Sequence, residues 1–159
     1  MNIDLDAPLY GAGKTARAAG VEMHTLQDWL RREAIVMGAH DLDNTGSGNH
    51  RAFTARRVMQ VSIAGALAGI GMDYRAACEA AREFTDCADG PTGYAGDSAG
   101  VPSPRNPGEL FSTGTTWLTV DHAGSPRIVE NRDLDREAAP IALALDPIVE
   151  RVMAALAAS

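Results

Sequence analysis

A chain of 159 residues with 45% hydrophobic and 22% charged residues is long enough to bury a core, and its composition excludes a disordered or fibrous protein. The formal net charge of −7, taken over the whole chain, argues against a nucleic-acid-binding protein, because Lys and Arg make most phosphate contacts. Residues 12–60 depart from this balance, since they hold seven basic and five acidic residues. The sequence therefore predicts that residues 12–60 face an anionic partner and that the rest of the chain is acidic.

Two short helices are predicted after an N-terminal arm of residues 1–11. In the first helix, Ala16 and Ala19 recur at helical spacing from Gly13 onward, and Gly20 supplies the positive φ that a sharp turn needs. The second helix carries its apolar residues on one face, at Met23, Leu26, Trp29 and Leu30. Two short helices joined by a tight turn are the arrangement of a helix-turn-helix motif.

A loop and two further helices follow. Residues 38–50 are rich in Gly, Asn and Asp, which predicts a hairpin or wing tip between short strands near Ile35–Val36 and Arg51–Phe53. Thr54 has the chemistry of an N-cap for a third helix that Gly71 closes. Asp73 caps a fourth helix, which we expect to run to about Phe84.

The C-terminal part is predicted to be a small separate domain. Residues 85–108 are rich in Gly, Pro, Ser and Asp without an apolar period, so they are interpreted as a flexible linker between domains at 1–84 and 109–159. The last domain has a predicted β-hairpin at 115–130 and a helix that begins at Pro147. The fold class is therefore α+β, with the hairpin and helix serving oligomerisation or contact with a partner protein.

Several separated motifs match one known family in the same order. They are the segments Thr15–Val21, Thr25–Leu26 with Trp29, Gly48–Thr54, and the apolar helix that ends in Gly-Ile-Gly-Met72. Together they resemble the MerR family of transcription regulators over roughly residues 15–84, about half of the chain. The resemblance implies a winged helix-turn-helix in the N-terminal half, with a wing that carries Arg51 and, one residue later, the aromatic Phe53.

The resemblance also implies a set of DNA contacts. The helix Met23–Arg32 would be the recognition helix in the major groove, and Gln27 would send a polar side chain to the bases. Arg51 would contact a phosphate or the minor groove. The other candidate contacts lie on the same helix, at the wing and at the starts of the first and third helices; they are Lys14, Thr15, His24, Thr25, Asp28, Arg31, Arg32, Asn49, His50, Arg56 and Arg57.

The chain departs from the family pattern at three points. Glu33 stands where the family usually has a helix-ending Gly. Asp28 falls where a Tyr is common, and there it would either repel DNA or accept a hydrogen bond from a cytosine amino group. No long helix is predicted after Phe84, so neither the family's dimer mode nor its effector site can be carried over.

Other chemistries find weaker support in the sequence. Gly11–Thr15 is similar to the end of a phosphate-binding loop, but Pro8 stands where that loop needs its first Gly, so the segment is interpreted as a helix start. Cys78 and Cys87 lie nine residues apart without a His at ligand spacing, which favours a buried small residue for Cys78 over a metal site. We therefore expect no metal, no cofactor and no enzymatic activity.

The sequence predicts a cytoplasmic, nucleoid-associated regulator of transcription that binds specific double-stranded DNA as a homodimer or higher homo-oligomer. We expect no membrane contact, because the longest apolar stretch, at 58–72, is broken by glycines and is shorter than the ~20 residues of a membrane span. The acidic start of the chain also lacks the pattern of a signal peptide. Two alternatives stay open: a phage-type DNA packaging or recombination accessory protein, and a winged-helix adaptor that binds proteins.

Overall fold

The computed structural model describes residues 3–43, 50–87, 105–135 and 139–158, and these form a mixed α+β fold. Within those ranges there are five α-helices and two small antiparallel sheets, of two and three strands. The elements in chain order are β1 (Tyr10–Gly11), α1 (Ala12–Ala19), α2 (Met23–Arg31), β2 (Ala52–Phe53), α3 (Ala55–Gly69), α4 (Tyr74–Thr85), β3 (Thr116–Val120), β4 (Pro126–Glu130), a 3-10 helix (Asn131–Asp133), β5 (Ile141–Ala144) and α5 (Asp146–Ala157).

The two predicted N-terminal helices are confirmed as α1 and α2. Gly20 ends α1 in the left-handed region, with φ of 74°, and its N–H reaches the carbonyls of Ala16 and Arg17. Val21 N–H also donates to Ala16 O at 3.0 Å, which closes the turn. Because Leu26, Trp29 and Leu30 are buried on the inner face of α2, the turn fixes this helix against the core.

The chain after α2 differs from the prediction. The prediction of a strand near Ile35–Val36 is wrong, because residues 32–41 form turns and irregular backbone. Within this segment the Ile35 side chain is buried in the core. Two other segments pair with β2: Tyr10 of β1 lies opposite Phe53, and Leu42 forms an isolated bridge with Ala52. The N-terminal arm, through β1, therefore pairs with β2 where the sequence predicted the strand at Ile35–Val36.

The caps of α3 and α4 are those that the sequence predicts. Thr54 Oγ1 accepts from the backbone N–H of Arg57 at 3.2 Å, and Asp73 Oδ1 accepts from the N–H of Arg75 at 3.0 Å. Nearly every residue of α3 between Ala55 and Ala64 is buried, because α1, α4 and α5 all pack against it. The helix α3 is thus the centre of the core. None of the helices in the described ranges is both long enough and apolar enough to cross a bilayer.

The C-terminal elements complete the same core. The predicted hairpin is confirmed as β3 and β4, and β5, which the sequence did not predict, pairs with the other edge of β3. In α5 the stripe Ile148, Val152 and Leu156 is buried. These residues and the buried residues of α1 to α4 belong to one hydrophobic cluster. The domain boundaries at 84 and 109 stay predictions; the structure adds that both parts share this cluster.

Arg105 holds the chain against the end of α4. Its side chain is buried, and its Nη1 and Nη2 donate to the carbonyls of Phe84 at 2.8 Å and Cys87 at 3.0 Å. The guanidinium also stacks over the Phe84 ring, 5.1 Å from its centroid, and Gly108 N–H donates to Phe84 O at 2.8 Å. The two described ends of the predicted linker, 85–87 and 105–108, therefore meet at the same place, while residues 88–104 lie outside the described residues.

Candidate functional site

The outer face of α2 carries polar side chains at helical spacing. With about 100° between successive residues, His24, Gln27 and Arg31 fall within an arc of about 60° that faces away from Leu26 and Trp29. All three are exposed, whereas the apolar residues of α2 are buried. We call His24, Gln27, Asp28 and Arg31 the α2 polar face. Together with Thr25 and Trp29 they line a shallow groove of about 540 Å³.

Asp28 forms ion pairs with two arginines, Arg31 at the end of α2 and Arg32 directly after it. Its Oδ1 accepts from Nη2 of Arg31, and its Oδ2 accepts from Nε of Arg32 at 2.8 Å. Arg32 also lies over the ring of Tyr74 in α4, with 5.8 Å between the guanidinium carbon and the ring centroid. Arg31 makes the more exposed of the two pairs, since 75% of its side-chain surface is accessible against 51% for Arg32.

The predicted wing is described only at its base. Leu42 and Ala52 exchange two backbone hydrogen bonds, of 2.8 and 3.0 Å, and Arg51 Nε donates to Asp43 Oδ1 at 2.7 Å. His50 is exposed and 39% of the Arg51 side chain is accessible, but the charge of Arg51 is paired with Asp43. Asn49, another predicted contact, lies outside the described residues.

Arg56 is held by the N-terminal arm. Its Nε and Nη2 donate to the two carboxylate oxygens of Asp6 at 2.6 and 3.0 Å, a two-pronged pairing of planar groups. The donated hydrogen bonds from Arg56 keep the pKa of Asp6 below its ordinary value, against the opposing effect of partial burial. Only 20% of the Arg56 side chain is exposed. The Arg56 guanidinium is therefore already paired with Asp6 in the folded chain.

Three predicted DNA contacts are buried or half-buried. Thr15 and Arg57 are corrections, because both side chains are buried and so are not placed to contact DNA. Arg57 lies inside since α3 turns it toward Asp41, Gln60 and Asp86, to which its guanidinium donates. Lys14 is half-buried; its Nζ donates to Leu156 O of α5 at 3.2 Å and lies 4.8 Å from the Tyr10 ring centroid.

Asp41 has a role that the sequence does not predict. Its Oδ1 accepts from the N–H and Oγ1 of Thr54, and its Oδ2 accepts from Gly38 N–H at 2.7 Å and Arg57 Nε at 2.9 Å. One buried carboxylate thereby ties the loop before the wing to the start of α3. The only sequence signal for it is an acidic residue in a turn beside Gly38, which is too common to identify a structural anchor.

A polar cavity of about 340 Å³ lies between this loop and the ends of α3 and α4. Its charged lining residues are Asp6, His40, Asp41, Arg56, Arg57 and Asp86. The three carboxylates already accept hydrogen bonds from Arg56, Arg57 and neighbouring groups. The two arginines offset two of the three negative charges, and within the described residues Arg56 Nη1 is buried without a hydrogen-bond partner.

The prediction that Cys78 is a buried small residue is confirmed. This side chain is fully buried, and burial, with a smaller contribution from Asp73, raises the pKa of its thiol to about 12. Cys87 is exposed, and partial burial of its thiol raises its pKa as well. Within the described ranges no three His, Cys, Asp or Glu side chains come together as metal ligands.

No protein-family model matches the chain, and no curated protein matches it with significant similarity.

Proposed function

We propose that the chain is a sequence-specific double-stranded DNA-binding protein that regulates transcription, with a winged helix-turn-helix of the MerR type in its N-terminal half. The observation that carries the proposal is the α2 polar face: the second helix of a tightly turned pair presents His24, Gln27 and Arg31 outward. An α-helix with its side chains is about 10–12 Å across, which fits a major groove about 12 Å wide.

The side chains on this face are of the types that read base edges. Gln pairs with adenine and Arg with guanine through two hydrogen bonds each, and both Gln27 and Arg31 are exposed. Arg51 supports the proposal from the strand beside the loop, where an exposed cation suits phosphate or the minor groove. A single module of this size buries limited surface, so we propose that two or more copies act together on DNA.

The proposal is tested by selecting bound duplexes from a random library with the purified chain and then titrating the selected duplex against variants. Gln27→Ala should lower discrimination at one base pair, by about 1–3 kcal/mol, with little change at the other positions. Arg51→Ala should instead weaken binding to all duplexes and reduce the salt slope by about one. Arg132→Ala, which removes an exposed cation from the second half of the chain, is the matched control and should change neither property.

If the parent chain enriches no duplex, or if both variants bind like the parent at moderate salt, the proposal fails. The direction of the salt dependence is itself a criterion, because binding through phosphates weakens as salt rises.

A second candidate function, a protein-binding adaptor, is favoured by the pairing of cations near the proposed interface. Asp28, Asp43 and Asp6 each neutralise an arginine that a DNA-binding surface would use. The chain as a whole is also acidic, at −7. Binding to a protein partner that persists at high salt and needs no DNA would select the adaptor over the DNA-binding protein.

A further inference from the structure

Asp28 is an acidic residue in the middle of the proposed DNA-contacting face. It pairs with Arg31, the last residue of α2, and with Arg32, which follows the helix. Its two oxygens are both used, one by Arg31 and one by Arg32. Only 34% of the Asp28 side chain is exposed, against 75% for Arg31, so the arginine extends farther into solvent than the carboxylate. A helix places residues three and four apart on neighbouring positions, which brings the acid and both cations together.

The two arginines are not equivalent. Arg32 is held by Asp28 and by the ring of Tyr74, so it is fixed toward α4. Arg31 has 75% of its side chain exposed and contacts Asp28 through Nη2. An arginine has five N–H donors in a planar fork, so a guanidinium held at one nitrogen still has donors for a second acceptor group.

We propose that Asp28 determines base specificity by positioning Arg31 for a guanine in the major groove. This inference rests on the proposed function. Guanine offers O6 and N7 as adjacent acceptors, and a two-bonded Arg contact with them is the commonest specific contact to a base. Because Asp28 already restricts the Arg31 side chain, less conformational freedom is lost when the guanine is bound.

The same carboxylate penalises other DNA. Major-groove acceptors and phosphates repel a negative charge, and the repulsion is offset only where Arg31 makes its full set of contacts. Asp28 thus lowers affinity for most sequences and raises the difference between sequences. A surface that simply attracted DNA would have no use for an acid at this position.

The test compares four chains on the duplex that the parent selects and on duplexes with single base-pair substitutions in it: the parent, Asp28→Asn, Arg31→Lys and the double variant. Asparagine keeps the shape of Asp28 without its charge, and lysine keeps the charge of Arg31 without the planar fork. We expect Asp28→Asn to bind unrelated duplexes several-fold more tightly and to lose about tenfold in discrimination at one G·C pair. Arg31→Lys should lose discrimination at the same pair.

The double variant decides the mechanism. If Asp28 acts through Arg31, adding Asp28→Asn to Arg31→Lys should cause no further loss at that pair. Additive losses, or a loss at a different base pair, would mean that Asp28 contacts DNA by itself, for example at a cytosine amino group, and would overturn the positioning role. Unchanged discrimination in Asp28→Asn overturns it as well.

Glu79→Gln is the control for net charge, because Glu79 is exposed on α4 and the variant removes the same single negative charge. It should shift affinity for all duplexes alike and leave every base preference intact. Asp28→Ala should reproduce the loss seen with Asp28→Asn. Failure of the parent to select any duplex rejects the proposed function, whereas selection by the parent with an unchanged preference in Asp28→Asn rejects only this inference.

Discussion

Arg57 and Asp41, sixteen residues apart, form a buried ion pair with 2.9 Å between Nε and Oδ2, and only 5% and 1% of their side chains are exposed. The pair joins the loop before β2 to the first turn of α3. Asp41 accepts hydrogen bonds from four protein donors, which compensate its charge.

Arg57→Ala should lower the free energy of unfolding by about 3–5 kcal/mol, because it leaves the Asp41 carboxylate buried without its counter-ion. Urea denaturation followed by circular dichroism measures the change. Arg75→Ala removes an exposed arginine from α4 and should cost less than about 0.5 kcal/mol. A loss below about 1 kcal/mol in Arg57→Ala would show that the pair contributes little.

Glu33→Gly should stabilise the protein. Glu33 follows α2 with φ of 55°, and among the described residues it is the only non-glycine in the left-handed region. That conformation costs an ordinary residue about 1–2 kcal/mol, of which the greater freedom of Gly in the unfolded chain removes part, so a net gain of about 0.5–1 kcal/mol is expected. Glu33→Ala, which removes the same charge without relieving the backbone, should show no such gain in chemical denaturation.

Asp6→Asn should change how stability depends on pH. Because Arg56 holds the pKa of Asp6 below its ordinary 3.8, the pair contributes stability above pH 4 and loses it as the pH falls through the lowered pKa of the folded state. Asp6 is 39% exposed, so the contribution at neutral pH should be below about 1 kcal/mol.

Thermal unfolding at several pH values between 7 and 3 measures this dependence. The difference in Tm between parent and Asp6→Asn should shrink below pH 4. A difference that stays constant down to pH 3 would contradict the assigned cause, and Glu79→Gln provides the comparison for an exposed acid.

The two cysteines should differ in reactivity. A thiol reagent should modify Cys87 in the folded protein, faster as the pH rises, because the thiolate is the nucleophile and its pKa is raised. Cys78, fully buried and with a pKa of about 12, should react only after unfolding. Counting modified thiols with and without guanidinium distinguishes them, and Cys87→Ser should abolish the fast reaction. Two fast thiols in the folded parent would contradict the burial of Cys78.

Local signals predicted the helices well. Thr54 and Asp73 cap α3 and α4 as expected, and Gly20 ends α1, because caps and left-handed turns depend on a few adjacent residues. The strand β5 was missed since its four residues, Ile-Ala-Leu-Ala, carry no turn signal and no alternation of polar and apolar residues. The strand expected at Ile35–Val36 was wrong because β1 occupies the place beside β2.

The candidate site was predictable only in part. The exposure of Gln27 and Arg31 follows from the helical period that buries Leu26 and Leu30, so periodicity was sufficient there. For Arg57 it was not sufficient, because the partner that makes burial tolerable, Asp41, reaches it through a loop. Pairing over such distances in the chain depends on tertiary structure, to which no local pattern points.

Arg105 has a consequence for how the chain tolerates changes of length. Its contacts with the carbonyls of Phe84 and Cys87 hold the described positions 87 and 105 together beside the end of α4. Doubling the length of a closed loop costs only about 0.6 kcal/mol. Insertions, tags or excisions between the two anchors should therefore be accommodated without loss of the fold, which thermal unfolding of such variants would measure.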